Sequence, residues 1–380
     1  MSVSSFRTPN RPQEGPGAAA WRAARRVLCV RVDAMGDVLM TTAAIRALRA
    51  GGRSITLLTS AAGAELAPLL PEVDEAIAYD APWTKPGGGE AGRDLAMVDR
   101  LAADRFDAAA IFTVYSQSPL PAALLCRMAG IPLRLAHCRE NPYDLLSDWV
   151  PEREPEGGVR HEVRRQLDLV AAVGAVTGDE RLSLRVPAGA RRRVDELLRA
   201  EDIDPHAPFL VLHPGASAPS RRYPEERWTE AARALAERSR VRVVLTGDGS
   251  EVALARRIAG AVGPPVVNVA GRLALPDLAA LLERSRLLVA GNTGPVHVAA
   301  AVGTPVVDLY ALTNPQHPPW GVPARVLYHW VPCRWCYRSV CPEGHHRCLR
   351  MVEPGEVVRA ALELLEDPAA AEPASSALPP

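Results

Sequence analysis

Short runs of consecutive apolar residues alternate along this chain with longer stretches whose apolar positions recur every three or four residues. VLCVRVD (27–33) is one such run, and in 38–50 after it Val38, Leu39, Thr42, Ile45 and Leu48 share one helical face. SITLLTS (54–60), EAIAY (75–79), DAAAIFT (107–113) and PLRLA (132–136) read as further strands, and 62–70 and 161–173 as helices. A second series opens with a helix at 191–200. It continues with the strands FLVLH (209–213), VRVVLTG (241–247), PVVNVAG (265–271), RLLVAG (286–291) and PVVDLY (305–310). Helical patterns at 225–239, 250–260, 276–284 and 295–302 separate those strands, and another follows at 355–366.

Strands joined by helical crossovers make parallel sheets covered on both faces, which is why these runs are apolar throughout. Two such series predict an α/β fold of two Rossmann-like domains, 26–178 and 190–366, with a cleft between them. Residues 1–25, rich in Pro, Gly and Ser over their first part, read as a disordered leader, and 367–380 as a disordered tail. Ligands in open parallel sheets bind beyond the carboxyl ends of the strands. The loops after residues 33, 213, 247 and 291 are therefore where chemistry is expected.

Composition narrows the classes. With 380 residues, 48% of them apolar, the chain can bury two cores. The 44 basic residues balance 44 acidic ones, so no basic field draws it to nucleic acid. No apolar run approaches the ~18 residues of a membrane span, and a cytoplasmic protein is expected.

The first loop, RVDAMGDVLMTT (31–42), has only Gly36 where a dinucleotide fingerprint needs several glycines. Hydride transfer is therefore set aside. Asp37 then has two readings: a cap that accepts backbone N–H bonds at a helix start, or a general base facing the cleft. In VLHPGASAPSRRYPEERW (211–228), His213, Gly215, Ser217 and Ser220 allow close approach of a ligand. Arg221 and Arg222 offer forks suited to phosphate, or else are solvated surface charge. In TGDGSEVALARR (246–257), Glu251 can cap a helix or accept ribose hydroxyls. LVAGNTGPVHVAAAVGTPVV (288–307) sets Asn292, Thr293 and Gly294 at a helix start, where free N–H groups and the dipole favour an anion. His213 and His297 are candidate ligand contacts, or satisfied structural histidines.

Four of the seven cysteines, Cys333, Cys336, Cys341 and Cys348, crowd into C-x2-C-x4-C-x6-C, with His345 and His346 inside. Structural zinc, reduced packing thiols and a disulfide all remain open, because zinc sites usually pair two C-x2-C knuckles and only one is present.

RVDAMGDVLMTTAAIRALR, LHPGASAPSRRYPEERW, TGDGSEVALARRIAG and GNTGPVHVAAAVGTPVVDLYALTNPQHPPWG, in this order, resemble glycosyltransferase family 9, the family of the ADP-heptose:lipopolysaccharide heptosyltransferases. The likeness covers roughly residues 26 to 360 and includes the cysteine-rich segment. It implies a GT-B fold and an inverting transfer from a nucleotide-diphospho-sugar that needs no cofactor. It assigns Asp37 as the catalytic base, Arg221 with Arg222 as the phosphate grip, and Glu251 as the ribose carboxylate. Asn292, Thr293 and Gly294, followed by His297, become the pyrophosphate loop. Asn292 stands where the best-known heptosyltransferases carry Asp, which leaves the donor sugar open. The implied acceptor is a saccharide or lipid-linked saccharide, met at the cytoplasmic face of the inner membrane. The apolar stretch 118–135 is then either a core helix and strand or a patch that meets that membrane. A sugar-nucleotide epimerase of the same architecture and a non-catalytic nucleotide-sugar binder are the alternatives.

Overall fold

Among the described residues, twelve strands form two sheets, and every pairing within them is parallel. The computed structural model describes residues 17–84, 91–264, 266–367 and 377–378. The first sheet holds β1 (Arg26–Arg31), β2 (Ser54–Thr59), β3 (Glu75–Ala78), β4 (Ala108–Ile111), β5 (Leu133–Cys138) and β6 (Asp148–Pro151), in the order β3-β2-β1-β4-β5-β6. The second holds β7 (Phe209–His213), β8 (Arg242–Leu245), β9 (Val266–Asn268), β10 (Leu287–Gly291), β11 (Val306–Leu309) and β12 (Ala324–Leu327), in the order β12-β11-β10-β7-β8-β9. Read from the opposite edge, the second order repeats the first. In each sheet the first strand lies beside both its second and its fourth, so the reversal of strand order opens a crevice at its carboxyl end.

The central strands are buried along nearly their whole length, as helices on both faces require. The edge strands β6 and β12 escape sequence pattern for the converse reason. Asp148–Pro151 and Ala324–Leu327 are half-buried or exposed throughout and present no continuous apolar run. A helix at Ala91–Asp104 was likewise not foreseen.

The leader expected over 1–25 is ordered before residue 25. Ala18–Ala23 is helical, Trp21 is buried, and its indole N–H donates to Asp148 Oδ2 at 2.9 Å. That bond ties the helix to the sheet edge through two residues far apart in sequence. Residues 1–16 lie outside the described residues, as do 368–376 and 379–380 of the expected tail. Within that tail, the Leu378 N–H donates to the Pro315 carbonyl at 2.8 Å.

The apolar core crosses from one half to the other. Leu39 and Ile45 of helix Met35–Arg49 share one cluster with Val163 and Leu169 of helix Glu162–Ala171 and with Val296 of helix Gly294–Val302. The intervening segment is bound as well. The Ser183 N–H donates to Thr42 Oγ1 at 3.0 Å, and the Arg185 N–H to the Leu69 carbonyl at 2.8 Å.

Candidate active site

β1 ends at Arg31, and helix Met35–Arg49 starts three residues before its apolar period does. Asp37 is thus the third helical residue, and its Oδ2 accepts the Ala34 N–H at 3.1 Å. The capping reading holds, but it accounts for one oxygen only. Oδ1 lies 3.2 Å from Arg31 Nη2. Arg31 is fully buried and grips two more carboxylates, Asp33 Oδ2 at 3.1 Å from Nε and Glu162 Oε1 at 2.8 Å from Nη1. Burial alone would raise the Asp37 pKa. The Arg31 guanidinium and the Ala34 N–H act against it and hold the carboxyl below its ordinary value. Asp33 goes the other way, raised chiefly by burial.

The opposite half closes over this cluster. His297 of helix Gly294–Val302 lies against Gly36, where an added Cβ would come within 2.7 Å of its Cδ2. This close approach explains the lone glycine beside Asp37. His317, in the segment after β11, brings Nε2 to 3.9 Å from Asp37 Oδ1. Its neighbour Gln316 accepts the Glu162 N–H at 3.0 Å through its carbonyl and reaches Glu162 Oε2 at 3.4 Å through its amide. Burial pushes the His297 pKa down to about 3 and lowers that of His317, so both rings are neutral near pH 7. Neither Arg31, Glu162, Gln316 nor His317 was singled out in the sequence. Arg31 carried a usable signal, since a cation within an apolar run that must be buried on both faces needs buried partners. Glu162 lies 131 residues from Arg31 and carried none.

On the second half, a cavity of about 540 Å³ is lined by Gly215, Arg222, Ser250, Glu251, Arg257 and Arg350 among others. The Glu251 carboxylate folds against the 213–215 turn. Its Oε2 accepts the Asp248 N–H at 2.9 Å and lies 3.5 Å from His213 Nε2. A Cβ on Gly215 would sit 1.9 Å from the Glu251 carboxyl carbon, so any larger residue there would push that carboxylate out of its present place. Burial lowers the His213 pKa to about 4, and its Nδ1 meets Thr246 Oγ1 at 3.0 Å. His213 is therefore a neutral support for Glu251.

The remaining expected residues divide. Arg222 lines the cavity, whereas Ser217 is exposed and not among its lining residues. Arg221 turns inward, and its Nη1 donates to the Asn292 carbonyl at 3.2 Å. Asn292 is buried, with Oδ1 accepting the Ala311 N–H at 3.2 Å. An amide oxygen does this as well as a carboxylate oxygen would. The Thr293 hydroxyl donates to the Gly291 carbonyl at 3.2 Å, and Gly294 opens the helix against Met35 of the first half.

The four clustered cysteines are unpaired thiols, and no disulfide joins them. They line a small pocket with His345 and His346, where Cys333 Sγ lies 3.7 Å from His345 Nε2. Among the described residues, no group of three or more His, Cys, Asp or Glu side chains is arranged to hold a metal ion. No described helix is long and apolar enough to cross a membrane.

Residues 95–346 match the model of glycosyltransferase family 9 (heptosyltransferase). The chain belongs to this family. The family-9 enzyme is 27% identical to lipopolysaccharide heptosyltransferase 2 of Escherichia coli K12, over 90% of this chain and 98% of that one. It is 27% identical to lipopolysaccharide heptosyltransferase 1 of Pseudomonas aeruginosa, over 83% of this chain and 87% of that one. Its fold is similar to that of the E. coli ADP-heptose LPS heptosyltransferase II, with TM-score 0.70 and 24% identity over 90% of this chain and 98% of that one. The two sheets thus form a GT-B glycosyltransferase, and the epimerase and silent-binder readings give way to family membership.

Proposed function

We propose that the enzyme transfers heptose from ADP-heptose, with inversion, to an inner-core saccharide of lipopolysaccharide. The observation that carries this is the setting of Asp37: held ionised by a buried arginine, at the seam between the halves, facing histidines of the opposite half. Solved relatives supply the donor class. One E. coli heptosyltransferase, similar in fold with TM-score 0.64 and 20% identity over 89% of this chain and 99% of that one, holds ADP-2-deoxy-2-fluoro heptose.

The acceptor hydroxyl donates to Asp37. As its oxygen bonds to the anomeric carbon, the bond from that carbon to the diphosphate breaks, the proton passes to Asp37, and ADP leaves. A nucleoside diphosphate leaves as a stable anion, so it needs charge stabilisation rather than a general acid. Arg222, with Arg221 and the backbone N–H of Gly294 at the helix start, supplies it in this reading, and no cofactor is called for. Glu251 holds the ribose. The acceptor enters from the first half, where a cavity of about 340 Å³ reaches Asp33, the carboxylate that shares Arg31 with Asp37. Helix Leu120–Met128 buries Ala122, Ala123, Leu125 and Cys126 but leaves Leu124 and Met128 exposed, which supports a lipid-facing contact at the cytoplasmic face of the inner membrane.

The test is ADP release from ADP-heptose with and without a heptose-deficient core acceptor. Release that depends on acceptor, together with an Asp37→Asn variant that binds ADP normally but turns over about 10²–10⁴ times more slowly, is expected. An Asp37→Asn variant with near-normal turnover reduces Asp37 to a helix cap.

A further inference from the structure

His317 presents a buried polar atom that the fold leaves unused. Its main-chain N–H donates to the Tyr310 hydroxyl at 3.2 Å, and that hydroxyl donates to Asn314 Oδ1 at 3.1 Å. Asn314 Oδ1 also accepts the Gln316 N–H at 3.3 Å. These two donors fix which end of the Asn314 amide is oxygen, so its NH₂ faces His317 Nδ1 at 3.4 Å. The amide donates and Nδ1 accepts. A neutral imidazole with its acceptor at Nδ1 carries its proton on Nε2. Nε2 is buried and has no hydrogen-bond partner among the described residues. Leaving such a donor unpaired costs about 1–3 kcal/mol, and native proteins rarely keep one without a protein, water or ligand partner.

The donor looks at the base. Nε2 stands 3.9 Å from Asp37 Oδ1, too far for a direct bond. One oxygen at about 2.8 Å from each atom closes that gap, at an angle near 90°. We propose that the acceptor hydroxyl is this oxygen, donating to Asp37 of the first half while accepting from His317 Nε2–H of the second. The inference rests on the proposed role of Asp37 and adds a catalytic contact to it. The two halves then share one substrate atom, and the hydroxyl is oriented only when the seam has closed on it. His317 does not take the proton. It presents the oxygen with its remaining lone pair free for the anomeric carbon. The charged and titratable groups facing His317 are Asp37, Glu162, Arg221, Arg31 and His297.

The full chain is assayed for ADP release from ADP-heptose with the core acceptor it turns over, beside ADP affinity by calorimetry. His317→Ala and His317→Asn are expected to lose about 10–100-fold in kcat, with ADP affinity kept within about twofold. His317→Gln sets an amide N–H near the Nε2 position and is expected to stay within about fivefold of the parent. The rescue separates a contact from packing, because Asn and Gln carry the same group at different reach. A Gln variant as impaired as Ala, an Ala variant as fast as the parent, or a loss confined to ADP affinity overturns the proposal. A parent chain with no acceptor-dependent release overturns the reading of Asp37 as base along with it, whereas fast Ala and Asn variants of an active parent overturn this contact alone.

Discussion

Replacing Arg31 by methionine removes the cation at the centre of the site and keeps a side chain of similar reach. Three carboxylates, the buried Glu162 and the half-buried Asp33 and Asp37, are then left facing one another, with ion pairs of 2.8, 3.1 and 3.2 Å to Arg31 lost. Removing one partner of a buried ion pair costs about 3–5 kcal/mol, a large share of a typical stability of about 5–15 kcal/mol. The cluster can relieve the cost by taking up protons. Asp33, already raised by burial, is disposed to take one. Asp37 loses the guanidinium that holds it ionised, so its pKa rises. A carboxylate base works above its pKa and fails as pH falls through it, so the acid limb of kcat must move up. A shift of one unit corresponds to ~1.4 kcal/mol less stabilisation of the ionised form. Urea unfolding and kcat between pH 4.5 and 8 read the two effects separately. Arg31→Met should lower the unfolding midpoint and lift the acid limb by about one unit or more, and Arg31→Lys should recover part of both. A folded Met variant with an unmoved acid limb would show that Arg31 does not set the charge of Asp37, and the account of the base would fall.

Gly215→Ala puts a Cβ where the Glu251 carboxylate now lies, and ADP affinity is expected to fall about tenfold or more, as calorimetry would register; an unchanged Kd refutes the fit. His137, His161 and His297 are held near a pKa of about 3 and His213 near about 4, in each case chiefly by burial. Below pH ~6.5 the unfolded chain takes up these protons first. Their stabilisation is therefore whole above that pH and drains away as pH falls toward about 4 for His213 and about 3 for the other three, by up to ~1.4 kcal/mol per unit for each histidine. Denaturant midpoints from pH 7.5 to 4.5 should decline steeply, and a flat profile refutes it. Elemental analysis of the purified chain is expected to find well under one zinc per chain, and turnover should withstand a chelator. Stoichiometric zinc at the cysteines, or loss of activity with chelator, refutes that pair of expectations.

The parts of the fold legible in the sequence are those where burial alone decides. Phe209–His213 and Leu287–Gly291 are covered on both faces, so their whole length is apolar and their limits can be read within a residue. Asp148–Pro151 belongs to the sheet through hydrogen bonds to β5, which leave no mark on side-chain polarity. The site divides in the same way. Asp37 and Gly36 announce themselves because a turn of strand into helix has few ways to be built. Gln316 and His317 lie in a proline-rich stretch with no period, and only the folded chain sets them against Glu162 and Asp37.

The apolar cluster that runs from helix Met35–Arg49 into helix Gly294–Val302 bears on any attempt to shuffle this enzyme. Its sheets repeat one winding, which invites cutting the gene between them and grafting one product onto a cousin. Such a hybrid would inherit two unmatched greasy surfaces where one continuous interior had been. It would fold only if the faces carrying Leu39, Val163 and Val296 were exchanged as a set.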